Sequence, residues 1–582
     1  MAKYSHTLHL STRWLACLLA PSVAWGQSAT EAPAEQSLER EEELARVYIR
    51  EFRVLGTKEL PKIDVEATVY PFLGPGRTFK DVEAAAEALT KAYHAKGYSL
   101  AQVVIPEQDA RSGVVTLQAY EGKVGSLRIT GARYFLPSRI RAQAKSMAAG
   151  KIINYNDVGA DMVKLSKFAD MRVTPKTPIM TEPGVYDLEL EVKDNSPLHG
   201  SAELNNRASL NTTDTRMNVS FSYANLWQRG HSIGGGFQFT PENFDEVRIL
   251  NGFYIWRSQE WEYFSLQFSA SKQHTHTTTP TVSGAAAGSG SVVSPGHTLG
   301  VRALFDLPSA DGFFHTMSFG FDYKALDSEP TLTAKTSARY YPINISWDGT
   351  WVHSRKESDP SPEEPDKTKS VETGTTTLAL GLTFGPRGFG SDVEEFNNNR
   401  FGTDGSFAYI RGTLEHVHNL KRDWQLLGRV QGQASDGPLL NYEQFSAGGM
   451  TTVRGYLEGE ALGDNALLGT LELRSPSLLK TTRTVGSGPT ASEESTGKEW
   501  RLYAFADGGW VTLQKALPEQ ISSFRLAGIG VGSEIHLWDH LHGVLELSLP
   551  LTSYETKPLP GVESSNTKAH DPRVNFRLWS DF

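Results

Sequence analysis

From residue 216 onward the chain breaks repeatedly into alternating apolar and polar segments of about ten residues, each ended by a turn. Residues 216–227, 231–240, 247–257, 262–271, 299–307 and 314–323 are examples. A tilted strand of that length crosses the hydrocarbon core of a bilayer. The two faces are clearest in the last segment: Val574, Phe576, Leu578 and Phe582 share one, and Arg573, Asn575, Arg577 and Asp581 the other. Gly543, Leu545, Leu547 and Leu549 against Val544, Glu546 and Ser548 repeat the division. A soluble sandwich alternates in the same way, so the connections decide between them. Gln228-Arg229-Gly230 and Gln259-Glu260-Trp261 are short turns on one side, whereas stretches such as 274–296 on the other side are long. Short turns inside and long loops outside belong to outer-membrane barrels. Trp227, Trp256, Trp261, Trp510, Trp538 and Trp579 fall at segment ends, where an interfacial aromatic girdle sits.

Counting from Ser201 gives about sixteen strands, predicting a mainly β chain whose residues 196–582 close into an antiparallel transmembrane barrel. The 53 glycines agree with many turns. Mean hydropathy is −0.36, which does not argue against a barrel, because alternation hides in an average. The polar insertions 355–371 and 481–498 fall, by the same count, on the side of the short turns, where such length is unusual.

The N-terminus fixes the compartment. Lys3 and Arg13 precede an apolar run ending in Ala24-Trp25-Gly26, so residues 1–26 read as a signal peptide. Cys17, the single cysteine, lies within it, leaving a mature chain without disulfide, thiol catalyst or cysteine-bound metal. Losing Lys3 and Arg13 and no acid takes the formal charge from −10 to −12, which excludes a nucleic-acid partner. Residues 27–46 form a charged linker or short helix.

Residues 47–194 hold two similar α+β units, 47–121 and 122–195. In the first, 47–55, 100–105 and 114–119 read as strands and 78–94 as a helix with Val82, Ala85, Ala86, Leu89 and Tyr93 on its apolar face. In the second, 123–129, 172–180 and 185–192 read as strands, and 136–147 and 156–168 as helices. An exposed edge strand beside a helix suits capture of an extended peptide by strand addition.

The stretch 433–465 is glycine-rich yet carries Leu439, Leu440, Tyr442, Phe445, Val453, Tyr456 and Leu457, so it reads as a long ordered hairpin between strands. Arg454 lies near its tip, followed by Gly455, which lets the backbone turn tightly. Some fifty residues on, Asp507 offers a carboxylate from an alternating strand that places it on one face with Phe505 and Tyr503, opposite Trp510.

Gln433, Leu439, Glu443, Phe445, Gly448-Gly449, Val453-Arg454-Gly455-Tyr456 and Gly463-Asp464 resemble the sixth-loop signature of the TpsB transporters of two-partner secretion, the ShlB/FhaC/HecB family. Phe505-x-Asp507-x-Gly509 resembles the strand motif that receives that loop, and the two α+β units resemble POTRA domains. The resemblance covers nearly the whole chain. It implies a sixteen-stranded transmembrane β-barrel preceded by two POTRA domains, with the loop folded into the lumen and Arg454 locked to Asp507. It also implies a secreted TpsA-type substrate, an adhesin or haemolysin, and an N-terminal helix plugging the pore. Ending on Phe582 resembles the signal by which barrel-assembly machinery recognises outer-membrane barrels, and such a barrel sits in outer-membrane lipid. Alternatives within reach are a barrel-assembly relative of the same superfamily, which usually carries more POTRA units, and a passive porin, which needs no lock.

Enzymatic motifs are absent from the sequence: no G-x-S-x-G, H-E-x-x-H or Walker motif occurs, and no cofactor or metal is expected. His274 and His276, in His-Thr-His-Thr-Thr-Thr, could bind a metal but read better as part of a flexible polar loop, and His416 and His418, alternating on a strand with Glu415 between, lack a third ligand at useful spacing. Gly528-x-Gly530-x-Gly532 lies within a strand with no helix after it, so barrel packing accounts for it better than phosphate binding.

Overall fold

The computed structural model describes residues 46–582 apart from 211, 262, 276–295, 311, 329–335, 359–367, 480–481, 486–491, 496–497, 519, 539 and 555–565. The expected signal peptide, the linker up to 45 and the implied plug helix lie outside the described residues.

The first small domain is a three-stranded sheet in which Glu51–Leu55 runs parallel to Val114–Tyr120, with Gln102–Val104 antiparallel on the other side. Its helix Phe79–Ala95 starts at Thr78, whose N–H and hydroxyl both donate to Asp81 Oδ2, at 2.8 and 2.9 Å. Leu89, Tyr93 and Leu117 are fully buried in its core. A second helix, Lys62–Val69, packs on the first. The sequence reading gave it no residues, because it begins directly after Pro61 and is cut short by Pro71 before an apolar period can develop.

In the second small domain Lys123–Thr130, Val185–Asp194 and Met171–Pro175 form a sheet, with Ile179–Glu182 also on Val185–Asp194. The stretch expected as one strand over 172–180 is thus two, separated by a bend, and the helix expected over 136–147 ends at Gln143 and continues as one 3-10 turn, Lys145–Met147. Contacts group the chain into two compact units, residues up to 126 with 146–158 and 178–187, and residues 127–145, 159–177 and 188–582. No helix among the described residues is long and apolar enough to cross a membrane.

The remaining strands close into one antiparallel barrel. In chain order they are β1 (Leu198–Asn205), β2 (Arg216–Leu226), β3 (His231–Phe239), β4 (Val247–Arg257), β5 (Phe264–Thr275), β6 (Gly296–Asp306) and β7 (Phe313–Ser328). There follow β8 (Thr336–Tyr340 and Ile343–Ser358), β9 (Thr368–Gly385), β10 (Phe407–Asn419), β11 (Gln425–Ser435) and β12 (Asn465–Arg474). The last are β13 (Glu499–Thr512), β14 (Ser523–Leu537), β15 (Leu541–Pro550) and β16 (Arg573–Asp581). Both pieces of β8 pair with β7, so they are one strand interrupted at Tyr341-Pro342, where proline has no N–H for the ladder, and the barrel has sixteen strands. The seam pairs β1 with β16 from Ser201↔Asp581 to Asn205↔Arg577, and Phe582 extends it through reciprocal backbone bonds of 3.0 Å with Gly200.

Alternation along each strand separates exposed apolar residues, such as Phe221, Leu250, Leu299, Leu467 and Leu545, from polar ones facing inward. Strand parity puts Trp227, Trp256, Trp261, Trp538 and Trp579 at the end with the short turns and Trp510 towards the opposite end. The same parity places both polar insertions at the short-turn end. The described ends of the first extend the β8–β9 hairpin, paired through Ser358↔Thr368, and the second contains Thr482–Val485 paired with Ser492–Ser495. Their length is thus partly regular structure.

Candidate functional site

The connection between β11 and β12 spans residues 436–464, so Gln433, read from sequence as part of the loop, belongs to the wall. The loop is buried within the barrel. Its two limbs pair briefly, Phe445–Ala447 with Ala461–Gly463. Leu439 and Leu440 pack against Leu326, Ala338, Tyr340, Phe396, Phe407 and Tyr409. Val453 and Tyr456 pack with Leu468, Val511, Phe524, Leu526 and Tyr554. Each such apolar side chain, fully buried, is worth about 1.5–3 kcal/mol.

Arg454 reaches the wall at the centre of this arrangement. Its Nε donates to Asp507 Oδ2 at 2.7 Å and its Nη2 to Oδ1 at 2.9 Å, a bidentate pair, and its backbone N–H adds a third bond at 3.0 Å. Nη1 donates to Glu472 Oε2 on β12 at 2.7 Å and lies 3.4 Å from Glu546 Oε1 on β15. The guanidinium carbon sits 3.4 Å from the Phe505 ring centroid, a cation–π contact. Glu472 also receives Arg474 Nε at 2.7 Å, and Glu546 receives the Tyr503 hydroxyl at 2.8 Å. The side chains of Arg454, Glu472, Asp507 and Glu546 are all at most 6% exposed. The sequence reading names Asp507 and Phe505 among these partners, but of the three carboxylates it pairs only Asp507 with Arg454. Glu472 and Glu546 stand among leucines in alternating strands, and a carboxylate at mid-strand was the signal available.

The glycine run on β14 is built for this loop. A Cβ at Gly528 would lie 2.0 Å from the Arg454 carbonyl oxygen. One at Gly530 would lie 2.4 Å from the Phe505 ring, and one at Gly532 would lie 2.1 Å from the Tyr503 ring. The sequence account of these glycines as barrel packing is therefore incomplete: they seat the aromatic residues and the loop backbone. Gly455 turns at φ +102°, and Gly448 and Gly449 at +103° and +101°. Gly463 and Gly509 leave room for Val511 and for Val453 and Leu468.

Further carboxylates fix the rest of the loop. Asp464, fully buried, receives Arg400 Nη2 at 2.6 Å and a second bond from Nη1, with the N–H groups of Leu439 at 2.9 Å and Gln514 at 2.7 Å. Glu443, 1% exposed, receives Lys324 Nζ at 2.5 Å and the hydroxyls of Tyr340 and Tyr409 at 2.7 and 2.8 Å. Beyond the tip, Glu458 pairs with Arg207 at 2.7 Å and Glu460 receives the Thr567 N–H and hydroxyl at 2.8 and 2.7 Å. The Tyr456 hydroxyl donates to the Thr552 carbonyl at 2.6 Å. No arrangement of three His, Cys, Asp or Glu suited to a metal occurs among the described residues.

Two stretches of the chain match known families. Residues 47–122 match the POTRA domain of ShlB type, and residues 365–535, which include the loop, Arg454, Glu472 and Asp507, match the haemolysin secretion/activation protein ShlB/FhaC/HecB. The outer membrane transporter CdiB of Dickeya dadantii is 23% identical over 432 residues, 72% of this chain and 70% of that protein. CdiB of Escherichia coli O6:K15:H31 is 24% identical over 172 residues, which is 30% of this chain and spans 29% of the relative's length. Among solved structures, CdiB from Escherichia coli superposes with a TM-score of 0.58 at 17% identity, covering 96% of this chain and 93% of that one. CdiB from Acinetobacter baumannii gives 0.53 at 14% identity, over 92% and 90%. At those identities the superpositions establish the fold.

Proposed function

We infer that this chain is an outer-membrane two-partner secretion transporter of the TpsB (ShlB/FhaC/HecB) type, and that it conducts one unfolded exoprotein from periplasm to cell surface, with loop 436–464 as its gate. The observation that carries the gate is the bidentate Arg454–Asp507 pair, buried inside the barrel and reinforced by Glu472. Arginine suits such a site because its charge is permanent and its fork matches a carboxylate. At an effective dielectric near 20, charges about 4 Å apart attract by roughly 4 kcal/mol, much of it offset by desolvation. The pair's main effect is then positional: it selects one loop state, and rearrangement opens the lumen without a nucleotide.

The POTRA domains, in the periplasm, supply the receptor. Edge strands such as Glu51–Leu55 and Gln102–Val104 have one side free of sheet partners, and an extended chain adds there through backbone bonds without demanding one sequence. The substrate class we infer is a TpsA-type exoprotein, an adhesin or haemolysin, whose folding outside drives its passage. Phe582, at the end of the seam strand, is the residue we assign to recognition by barrel-assembly machinery.

Arg454→Ala tests the gate. The variant barrel should reach the outer membrane and keep its heat-modifiable mobility while the exoprotein accumulates in the periplasm. Wild-type secretion at an equal surface amount of the variant would reject the gate.

A further inference from the structure

The outer face of the wall is not uniformly convex. Across β3, β4 and β5 the outward positions Gly235, Gly252 and Ala270 stand in register, Gly235↔Gly252↔Ala270, and a groove of about 930 Å³ runs over them between Phe221 and Leu299. That lies within the roughly 300–1,000 Å³ of small-molecule sites. From β3 to β6 it crosses three strand spacings, roughly 14 Å, wider than a single alkyl chain.

One end of the groove carries a cation, Lys272, beside an imidazole, His297. Lys272 on β5 and His297 on β6 are exposed, directly opposed in the ladder, and face outward with Leu250 and Leu299. Neither has an ion pair among the described residues. Arg248, on the same face of β4, is already paired with Asp245 at 3.4 Å, so Lys272 supplies the charge at this rim. Strand direction places this rim at the end remote from the short turns, which is the cell-surface end for a barrel whose POTRA domains are periplasmic. The opposite end of the groove stays apolar, with Phe221 and Ile233.

We propose that this groove holds one phosphorylated, multiply acylated glycolipid of the outer leaflet, its phosphate on Lys272 and His297 and its acyl chains side by side over Gly235, Gly252 and Ala270. The charge complementarity selects an anionic headgroup, and the width selects several chains over one. A basic pocket at the membrane boundary of a transmembrane protein binds lipid headgroups by this chemistry. The proposal rests on the outer-membrane reading but not on secretion, so the two fail separately.

The test is native mass spectrometry of the full-length protein after delipidation and titration with hexa-acylated lipid A, phosphatidylglycerol or phosphatidylcholine in nanodiscs. A lipid A adduct at one per barrel is expected, reduced at least about 5-fold by Lys272→Glu, the effect of one cation near a membrane surface. Gly252→Leu with Ala270→Leu should reduce it too; at Gly252 the nearest atom to an added Cβ is 3.7 Å away, so folding is spared. Should the double variant not assemble, Lys272→Glu alone decides. Equal adducts in parent and Lys272→Glu, or equal retention of phosphatidylcholine and lipid A, would overturn the proposal; preference for phosphatidylglycerol over lipid A would overturn the glycolipid assignment.

Discussion

Gly528→Ala changes no charge and removes no loop residue, yet the structure predicts that it unseats loop 436–464. The new Cβ would lie 2.0 Å from the Arg454 carbonyl oxygen, and the contact is with backbone, which has no rotamer to escape into. Relief to an ordinary separation needs a shift of about 1 Å, and forced overpacking of this kind costs about 1–3 kcal/mol. A shift of that size carries the 2.7 and 2.9 Å bonds to Asp507 beyond hydrogen-bond length, and breaking a buried pair costs about 3–5 kcal/mol. Counting the broken pair alone at its lower figure, about 3 kcal/mol, the docked-to-released ratio falls about 150-fold. The strand ladder is untouched, because alanine keeps both backbone groups of residue 528. The readout is hydrogen exchange of the peptide around residue 454 in the folded barrel, whose N–H is held by Asp507 at 3.0 Å. Exchange there should rise by roughly that factor. Gly428→Ala is the control, since nothing lies within 4 Å of its added Cβ. Unchanged exchange in Gly528→Ala, or an equal rise in the control, refutes the seating argument.

Glu443→Gln should release the base of the loop while leaving Arg454 docked, because Lys324, Tyr340 and Tyr409 lose a shared buried anion; faster exchange at 439–445 with unchanged exchange at 454 is the expected pattern. Asp464→Asn strands Arg400 without its carboxylate, and a loss of about 3–5 kcal/mol of loop docking should appear as protease cleavage within 436–464. In the first POTRA domain, the Thr78 N–H and hydroxyl hold the Asp81 carboxyl below its ordinary value of 3.8. A depressed carboxyl stabilises above its unfolded value and loses that contribution as pH falls through the folded one. Protection at the start of helix Phe79–Ala95 should therefore drop below about pH 3.8, by up to about 1 kcal/mol, and Asp81→Asn should abolish that dependence.

The wall was legible because its pattern is local. A period of two needs only neighbouring residues, and strands such as β4, expected at 247–257, end where expected. The loop was legible through its glycines, and Asp507 through the face it shares with Phe505. Legibility failed where a partner comes from elsewhere in the chain. Glu546 on β15, Arg400 between β9 and β10, and Glu472 on the strand that follows the loop meet it only once it folds back into the barrel, and nothing within ten residues of each records that. Glu443 was noticed as part of a motif, but its three donors, from β7, β8 and β10, are visible only once those strands are adjacent. The β8 interruption is simpler: Pro342 alone marks it.

If loop 436–464 is the gate proposed above, the glycine seat on β14 also bears on how the pore recovers after a passenger has gone through. A withdrawn loop leaves behind a hollow at Gly528 and bares the apolar surface that Val453 and Tyr456 had covered, and water fills both at a cost in free energy. Nothing in the strand can swing in to occupy the vacancy, since the residue there has no side chain. The empty cradle therefore favours the loop's return, and the pore resets without an external closing signal.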